Sequence, residues 1–242
     1  MARHEGRGVT GARAMIMAAG RGERMRPLTD DCPKPLLHVR GKPLIQYHTE
    51  ALARAGLGEV VVNTAWLGHR IESHFDTLAD GPQPRILYSH EGRDFGGALE
   101  TAGGVARALP LLDDVFWLVG GDVYVPEFAF PREALERFAG GGKLARIFLV
   151  PNPPQHPNGD FALRGDGVVL REGSPRYTYS TIGLYRKAFF SSLPAGNPEG
   201  LKAPMLPLML AAMDNAQLTA EIYTGPWADV GTPQRLAQLN AP

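Results

Sequence analysis

Short apolar runs alternate with helix-patterned stretches through the first 150 residues, and this alternation constrains the fold more than any other feature. Ala14 to Ala19 reads as a buried strand feeding Gly20-Arg21-Gly22. Leu44 to Ala55 places Leu44, Ala51, Leu52 and Ala55 on one helical face, with Gly56 beyond as a stop. Further strands are expected at Glu59 to Asn63, Arg85 to Ser89, Val115 to Gly120 and Ala145 to Val150. Helices are expected at Leu67 to Leu78, Leu99 to Leu109 and Arg132 to Phe138. Successive strand–helix units imply an α/β fold, a mainly parallel sheet covered by helices on both faces. Ligands of such sheets bind beyond the carboxyl ends of the strands. Gly20 and Asp122 both follow predicted strands, so they should share one rim.

After Val150 the texture changes. Asn152-Pro153-Pro154 and Pro157-Asn158-Gly159 are turns. Short strands are expected at Phe161–Leu163, Val168–Arg171, Tyr177–Tyr185, Leu218–Tyr223 and Trp227–Val230, with helices at Met205–Met213 and Thr232–Leu239. The second half should extend the same sheet and add an antiparallel part. Residues 1–12 carry no apolar stretch and read as a disordered leader; 13–242 reads as one domain with a first part to about 125 and a second from about 126.

Lys plus Arg number 25 and Asp plus Glu 25, which excludes a strongly basic nucleic-acid binder. No run reaches the roughly 18 apolar residues of a membrane span. Cys32 is the one cysteine, so no internal disulfide can form, and a reducing cytoplasm is the simplest compartment. A monomer or small homo-oligomer is expected.

Gly20 and Gly22 allow backbone N–H groups to approach a ligand closely. From Arg21 to Lys42 six basic residues face three acidic ones, a local excess that suits a triphosphate. The Walker loop is excluded because no Gly-Lys-Ser/Thr ends this one, and the dinucleotide fingerprint because Met25 stands where a third small residue belongs.

Gly20-x-Gly22-x-Arg24, Pro27-Leu28-Thr29, Pro33-Lys34-Pro35-Leu36-Leu37 and Gly41-Lys42-Pro43-Leu44-Ile45 resemble the signature of the sugar-1-phosphate nucleotidyltransferases. The resemblance implies the Rossmann-like three-layer sandwich of that family, with a mainly parallel mixed sheet. It also implies synthesis of a nucleoside diphosphate sugar from a nucleoside triphosphate and a sugar 1-phosphate, with release of pyrophosphate. On this reading Arg24 serves the leaving pyrophosphate and Lys34 the α-phosphate. Ala18, Ala19, Gly20 and Gly22 line the nucleotide, and Glu100, Thr101 and Gly104 of Leu99-Glu100-Thr101-Ala102-Gly103-Gly104 flank the base. Asp122, in a Gly-Asp context, and Asp229, in Trp227-Ala228-Asp229-Val230-Gly231-Thr232, match the family's metal aspartates. They would hold Mg²⁺, or Mn²⁺ in its place.

Asn63-Thr64-Ala65-Trp66-Leu67-Gly68, Asn152…Asn158-Gly159-Asp160-Phe161 and Ala108-Leu109-Pro110-Leu111-Leu112 resemble a narrower branch active in bacterial cell-wall recycling. That branch implies UTP and N-acetylmuramic acid 1-phosphate as substrates. Asn158 and Asp160 then become sugar-site candidates, Asp160 for a hydroxyl or amide. Alternatives are another sugar 1-phosphate (glucose, mannose or N-acetylglucosamine), phosphocholine, or a nucleotide-sugar sensor. One departure matters. Arg171-Glu172-Gly173-Ser174-Pro175 lacks the lysine that many relatives use for the sugar phosphate, and Arg171, Arg176 or Lys202 could replace it.

Overall fold

The computed structural model describes residues 14–78 and 83–241; the expected leader lies outside the described residues. In chain order the strands are β1 (Ala14–Met17), β2 (His38–Val39), β3 (Lys42–Pro43), β4 (Glu59–Thr64), β5 (Arg85–His90), β6 (Val115–Gly120) and β7 (Val123–Tyr124). They continue as β8 (Ala145–Val150), β9 (Phe161–Leu163), β10 (Val169–Leu170), β11 (Arg176–Arg186), β12 (Leu218–Ile222) and β13 (Ala228–Asp229). The helices are α1 (Leu44–Arg54), α2 (Gly68–Thr77), α3 (Glu91–Phe95), α4 (Glu100–Ala108), α5 (Arg132–Ala139), α6 (Met205–Asp214) and α7 (Pro233–Asn240).

The main sheet runs β10-β9-β11-β6-β1-β4-β5, and β8 joins β11 and carries β12. Strands β5, β4, β1 and β6 are parallel, β11 is antiparallel to β6 and β8, and β12 is parallel to β8. The reversal at β11 matters for the site. Its N-terminal half comes to the same rim as the carboxyl ends of β1 and β6.

Strand residues alternate between two cores, as a period of two requires. Met15, Val61, Phe116 and Leu118 pack with Ala102 and Val105 of α4 and Met205, Met209 and Met213 of α6. Ala14, Ile16, Val60, Val62, Trp117 and Val119 pack with Ile45 and Leu52 of α1, Ile71 of α2 and Leu135 and Phe138 of α5. The result is the expected three-layer sandwich. A third cluster ties the rim together: Met25 of the glycine loop meets Val39, Leu44, Tyr124, Val230 and Leu236.

Most expected elements are present, with ends shifted by one or two residues. Five features differ, one of them β7, where no strand is expected. The predicted strand at Val168–Arg171 shortens to β10, and that at Trp227–Val230 shortens to β13. The hairpin β2–β3 turns at Arg40-Gly41, where both residues have positive φ. Helix α3 follows β5 with no loop between, and its five residues are too few for a periodic signal.

Candidate active site

A cavity of about 680 Å³ opens at the carboxyl ends of β1 and β6. Among its lining residues are Ala18, Ala19, Gly20, Gly22, Arg24, Lys34, Glu100, Thr101 and Asp122, all expected from the sequence. The glycine loop is held in a closed curve. Gly22 has φ 66°, and a Cβ there would lie 3.1 Å from Thr29 Cγ2 and 3.2 Å from Lys34 Cβ. A side chain at position 22 would therefore be strained and crowded at once. Thr29 Oγ1 donates to Gly22 O at 2.9 Å. Arg21 lies over the Trp66 ring, 3.8 Å from its centroid, and donates to Thr29 O at 2.8 Å and to Asp30 at 2.9 Å. Those guanidinium bonds hold the Asp30 carboxyl below its usual range. Trp66 thus braces the loop, and its Nε1 donates to Thr29 O.

Lys34 follows Pro33 in a single 3₁₀ turn, and its Nζ reaches Asp122 Oδ2 at 2.7 Å. The lysine side chain is 10% exposed, whereas that of Asp122 is 45% exposed. The pair puts a sheltered cation against an anion that still faces the cavity. Arg24 is exposed, with no hydrogen bond or ion pair among the described residues, so its guanidinium is available to a ligand.

Asp229 lies beside this pair. It is opposite Val123 in the β13–β7 ladder, and Val230 N donates to Asp122 O at 3.0 Å. Its carboxylate accepts from Gln155 Nε2 at 2.9 Å and pairs with Arg235. Asp229 does not itself line the cavity, but Gly231 does, and a Cβ on Gly231 would lie 2.7 Å from Asp229 Oδ2. Thr232 accepts from Arg235 N and caps α7, with Pro233 in its first turn. Among the described residues no three His, Cys, Asp or Glu side chains gather to hold a metal unaided. Two neighbouring carboxylates, Asp122 in the turn between β6 and β7 and Asp229 on β13, each already matched to a cationic side chain, nevertheless fit a hard divalent ion whose shell is completed by phosphates and water.

The opposite wall carries residues that the sequence did not reveal. Glu91 is fully buried, and burial pushes its carboxyl up, against the opposing pull of its hydrogen bonds. Leu99 N donates to its Oε2 at 2.7 Å and Asn63 Nδ2 to its Oε1 at 2.6 Å. Asn63 Oδ1 in turn accepts from Ala18 N at 2.6 Å. This relay ties the end of β1 to the start of α4, and both Asn63 and Glu91 line the cavity. Gly104 lies behind it, where a Cβ would come 2.5 Å from Glu91 Oε1. Asn63 stood within a recognised motif, but nothing nearby in the chain marks Glu91 as its partner.

Tyr179 and Thr181 of β11 also line the cavity. Asn158 and Asp160 do not. Asp160 accepts from Tyr179 N at 2.7 Å and contacts His156 Nε2 at 3.0 Å, so it fixes a cavity residue from behind. Asn158 offers its carbonyl to Arg176 Nε at 3.2 Å.

The nucleotidyl transferase family model matches residues 13–171. The chain is 43% identical over 237 residues to N-acetylmuramate alpha-1-phosphate uridylyltransferase of Neisseria meningitidis, covering 95% of this chain and 97% of that one. It is 30% identical over 229 residues to the protein of the same name from Caulobacter vibrioides, covering 91% and 92%. A crystal structure from Bacillus anthracis, described as a glucose-1-phosphate thymidylyltransferase in complex with a sucrose, superposes with a TM-score of 0.76 at 20% identity. It covers 95% of this chain and 94% of that one.

Proposed function

The chain belongs to the nucleotidyl transferase family, and on that footing we propose that it converts UTP and N-acetylmuramic acid 1-phosphate to UDP-N-acetylmuramic acid and pyrophosphate. One observation carries the chemistry: the sheltered Lys34 ammonium, 2.7 Å from the half-open Asp122 carboxylate, at the foot of a glycine loop. The choice of UTP and of the muramate sugar rests on the similarity, over nearly the whole of both chains, to the Neisseria meningitidis protein.

A non-bridging oxygen of the sugar phosphate attacks the α-phosphorus of UTP in line. The new P–O bond forms as the bond to the β-phosphate oxygen breaks, and pyrophosphate leaves. No covalent intermediate with the protein is required, so catalysis is positioning plus charge stabilisation. Lys34 stabilises the charge that develops on the α-phosphate. Arg24 pairs with the departing pyrophosphate, for which its fork of donors is suited. The glycine loop's N–H groups orient the triphosphate. Asp122 and Asp229 are the residues that would hold a divalent cation, Mg²⁺ in first place, and such an ion would supply neutralisation of the two anionic phosphates. The work of such a protein lies in cell-wall recycling in the cytoplasm.

Pyrophosphate release over a grid of nucleoside triphosphates and sugar 1-phosphates, with Mg²⁺, tests this reading. Turnover is expected with UTP and N-acetylmuramic acid 1-phosphate. A clear preference for glucose, mannose or N-acetylglucosamine 1-phosphate, or for phosphocholine, would replace the acceptor. Silence throughout, in protein that binds nucleotide, would make it a sensor.

A further inference from the structure

Thr181 has φ 63°, a left-handed conformation that a β-branched residue adopts only under constraint. The constraint is visible on both sides. The β11–β8 register shifts between Tyr179 and Gly183. Ser180 Oγ donates to Phe148 O at 2.7 Å and accepts from Ile182 N, while Trp227 Nε1 donates to Ser180 O. Thr181 Oγ1 is buried and has no hydrogen-bond partner among the described residues. A strained backbone and an unpaired hydroxyl in one residue are two local costs with no gain in the free protein.

The same small space exposes a second unused atom. Asp122 Oδ2 is taken by Lys34, but Oδ1 accepts from no donor among the described residues. Gly120 keeps the space open: a Cβ there would lie 2.5 Å from Thr181 Oγ1 and 3.0 Å from Asp122 Oδ1. A donor without an acceptor and an acceptor without a donor thus border the same methyl-sized space.

We propose that Thr181 is a positioning residue for Asp122, its hydroxyl reserved for Oδ1 of that carboxylate during turnover. The inference rests on the reading of function above, in which Lys34 serves the α-phosphate, and it adds that Lys34 turns from Asp122 to do so. When Lys34 leaves, the Thr181 O–H donates to Asp122 and keeps the carboxylate aimed at its cation. No covalent step is added and no proton is transferred. The strain is retained because the left-handed turn brings the hydroxyl to this place.

The test compares Thr181→Val, Thr181→Ser and Thr181→Gly with wild type. Valine keeps the shape and removes the hydroxyl, so kcat should fall about tenfold, the loss of one charge-assisted hydrogen bond, with KM for UTP within twofold. Serine should restore most of kcat. Glycine should relieve the strain, raising Tm by about 2–4 °C, yet leave kcat as low as in the valine variant. Gly120→Ala fills the shared space and should lower kcat in the same way. Wild-type kcat in Thr181→Val, or Thr181→Ser as slow as Thr181→Val, overturns the proposal. Should the wild type transfer no uridylyl group, the functional reading falls, and Thr181 is judged on the rise in Tm that Mn²⁺ produces. That rise is expected to be smaller in Thr181→Val than in Thr181→Ser, and equal rises would overturn the proposal.

Discussion

Lys34 Nζ and Asp122 Oδ2 lie 2.7 Å apart although 88 residues separate them in sequence. The contact joins the segment after the glycine loop to the end of β6, the central parallel strand on which β11 folds back. A cation sheltered by the fold and an anion open to the cavity are thereby placed side by side on one rim of the sheet.

Asp122→Asn should lower turnover by roughly 10²–10³ while leaving the fold almost unchanged. The Asp122 side chain is 45% exposed, so its ion pair is worth little to stability, about 1 kcal/mol or less. Steady-state kinetics beside a thermal melt separates the two effects. Loss of folding with loss of activity would show that the pair is structural.

The Ala18–Asn63–Glu91–Leu99 relay should act on nucleotide binding rather than on chemistry. Asn63→Ala leaves Ala18 N and Glu91 each short of a buried partner, at a cost of about 1–3 kcal/mol in stability. Gly104→Ala pushes a methyl against Glu91 and should raise KM for UTP more than it lowers kcat. A kcat defect with unchanged KM would contradict this division.

His48 sets a pH limit on the fold. It is buried, its Nε2–H donates to Val123 O at 3.0 Å, and burial pushes its pKa down to about 4 despite that bond and the nearby Asp122. The unfolded chain, with histidine near 6.5, takes up the proton first as pH falls. This part of the stability is therefore full above about pH 6.5 and is lost progressively towards pH 4, by about 3 kcal/mol at most. Urea unfolding across that range should show the decline in wild type, and His48→Gln should flatten it. Equal slopes would show that His48 is not the group responsible.

Sequence and structure agree where the signal is local and periodic. Val115–Gly120 is an uninterrupted apolar run and Ala145–Val150 is broken only by Arg146, and the ends of both strands are the predicted ones. The apolar runs Ala14–Ala19 and Val115–Gly120 by themselves imply that Gly20 and Asp122 share one rim. Glu91, Tyr179 and Thr181 are different. A carboxylate after a strand reads as a surface residue, and only the distant Asn63 makes it a buried acceptor. Tyr179 and Thr181 lie within an apolar strand pattern, and no residue type announces the bulge that turns them to the cavity. Asp160 was recognisable as special, but its partner, the backbone N–H of Tyr179, carries no sequence signature.

Of the three basic residues that could replace the missing family lysine, two are already engaged within the protein. Arg171 is paired with Asp214 and bonded to Leu210 O, and Arg176 is spent on the carbonyls of Asn158, Asp160 and Arg171. Lys202 is exposed and has no hydrogen bond or ion pair among the described residues. Its backbone neighbours are pinned to α4, since Ala203 N donates to Leu99 O and Asn197 Nδ2 to Leu201 O, and Met205 lines the cavity. Lys202→Ala should raise KM for the sugar 1-phosphate roughly 10-fold or more with KM for UTP unchanged. Arg171→Ala should leave both unchanged. The reverse pattern would assign the sugar phosphate to Arg171.

The central claim is uridylyl transfer at the Lys34–Asp122 pair. The most direct measurement is product analysis by mass and ³¹P spectra, after mixing UTP, Mg²⁺ and N-acetylmuramic acid 1-phosphate with wild type or Lys34→Met. Wild type should give UDP-N-acetylmuramic acid and pyrophosphate in equal amounts, and the variant should form them roughly 10²–10³ times more slowly. Wild type that forms no such product, or a variant that forms it at the wild-type rate, would contradict the account.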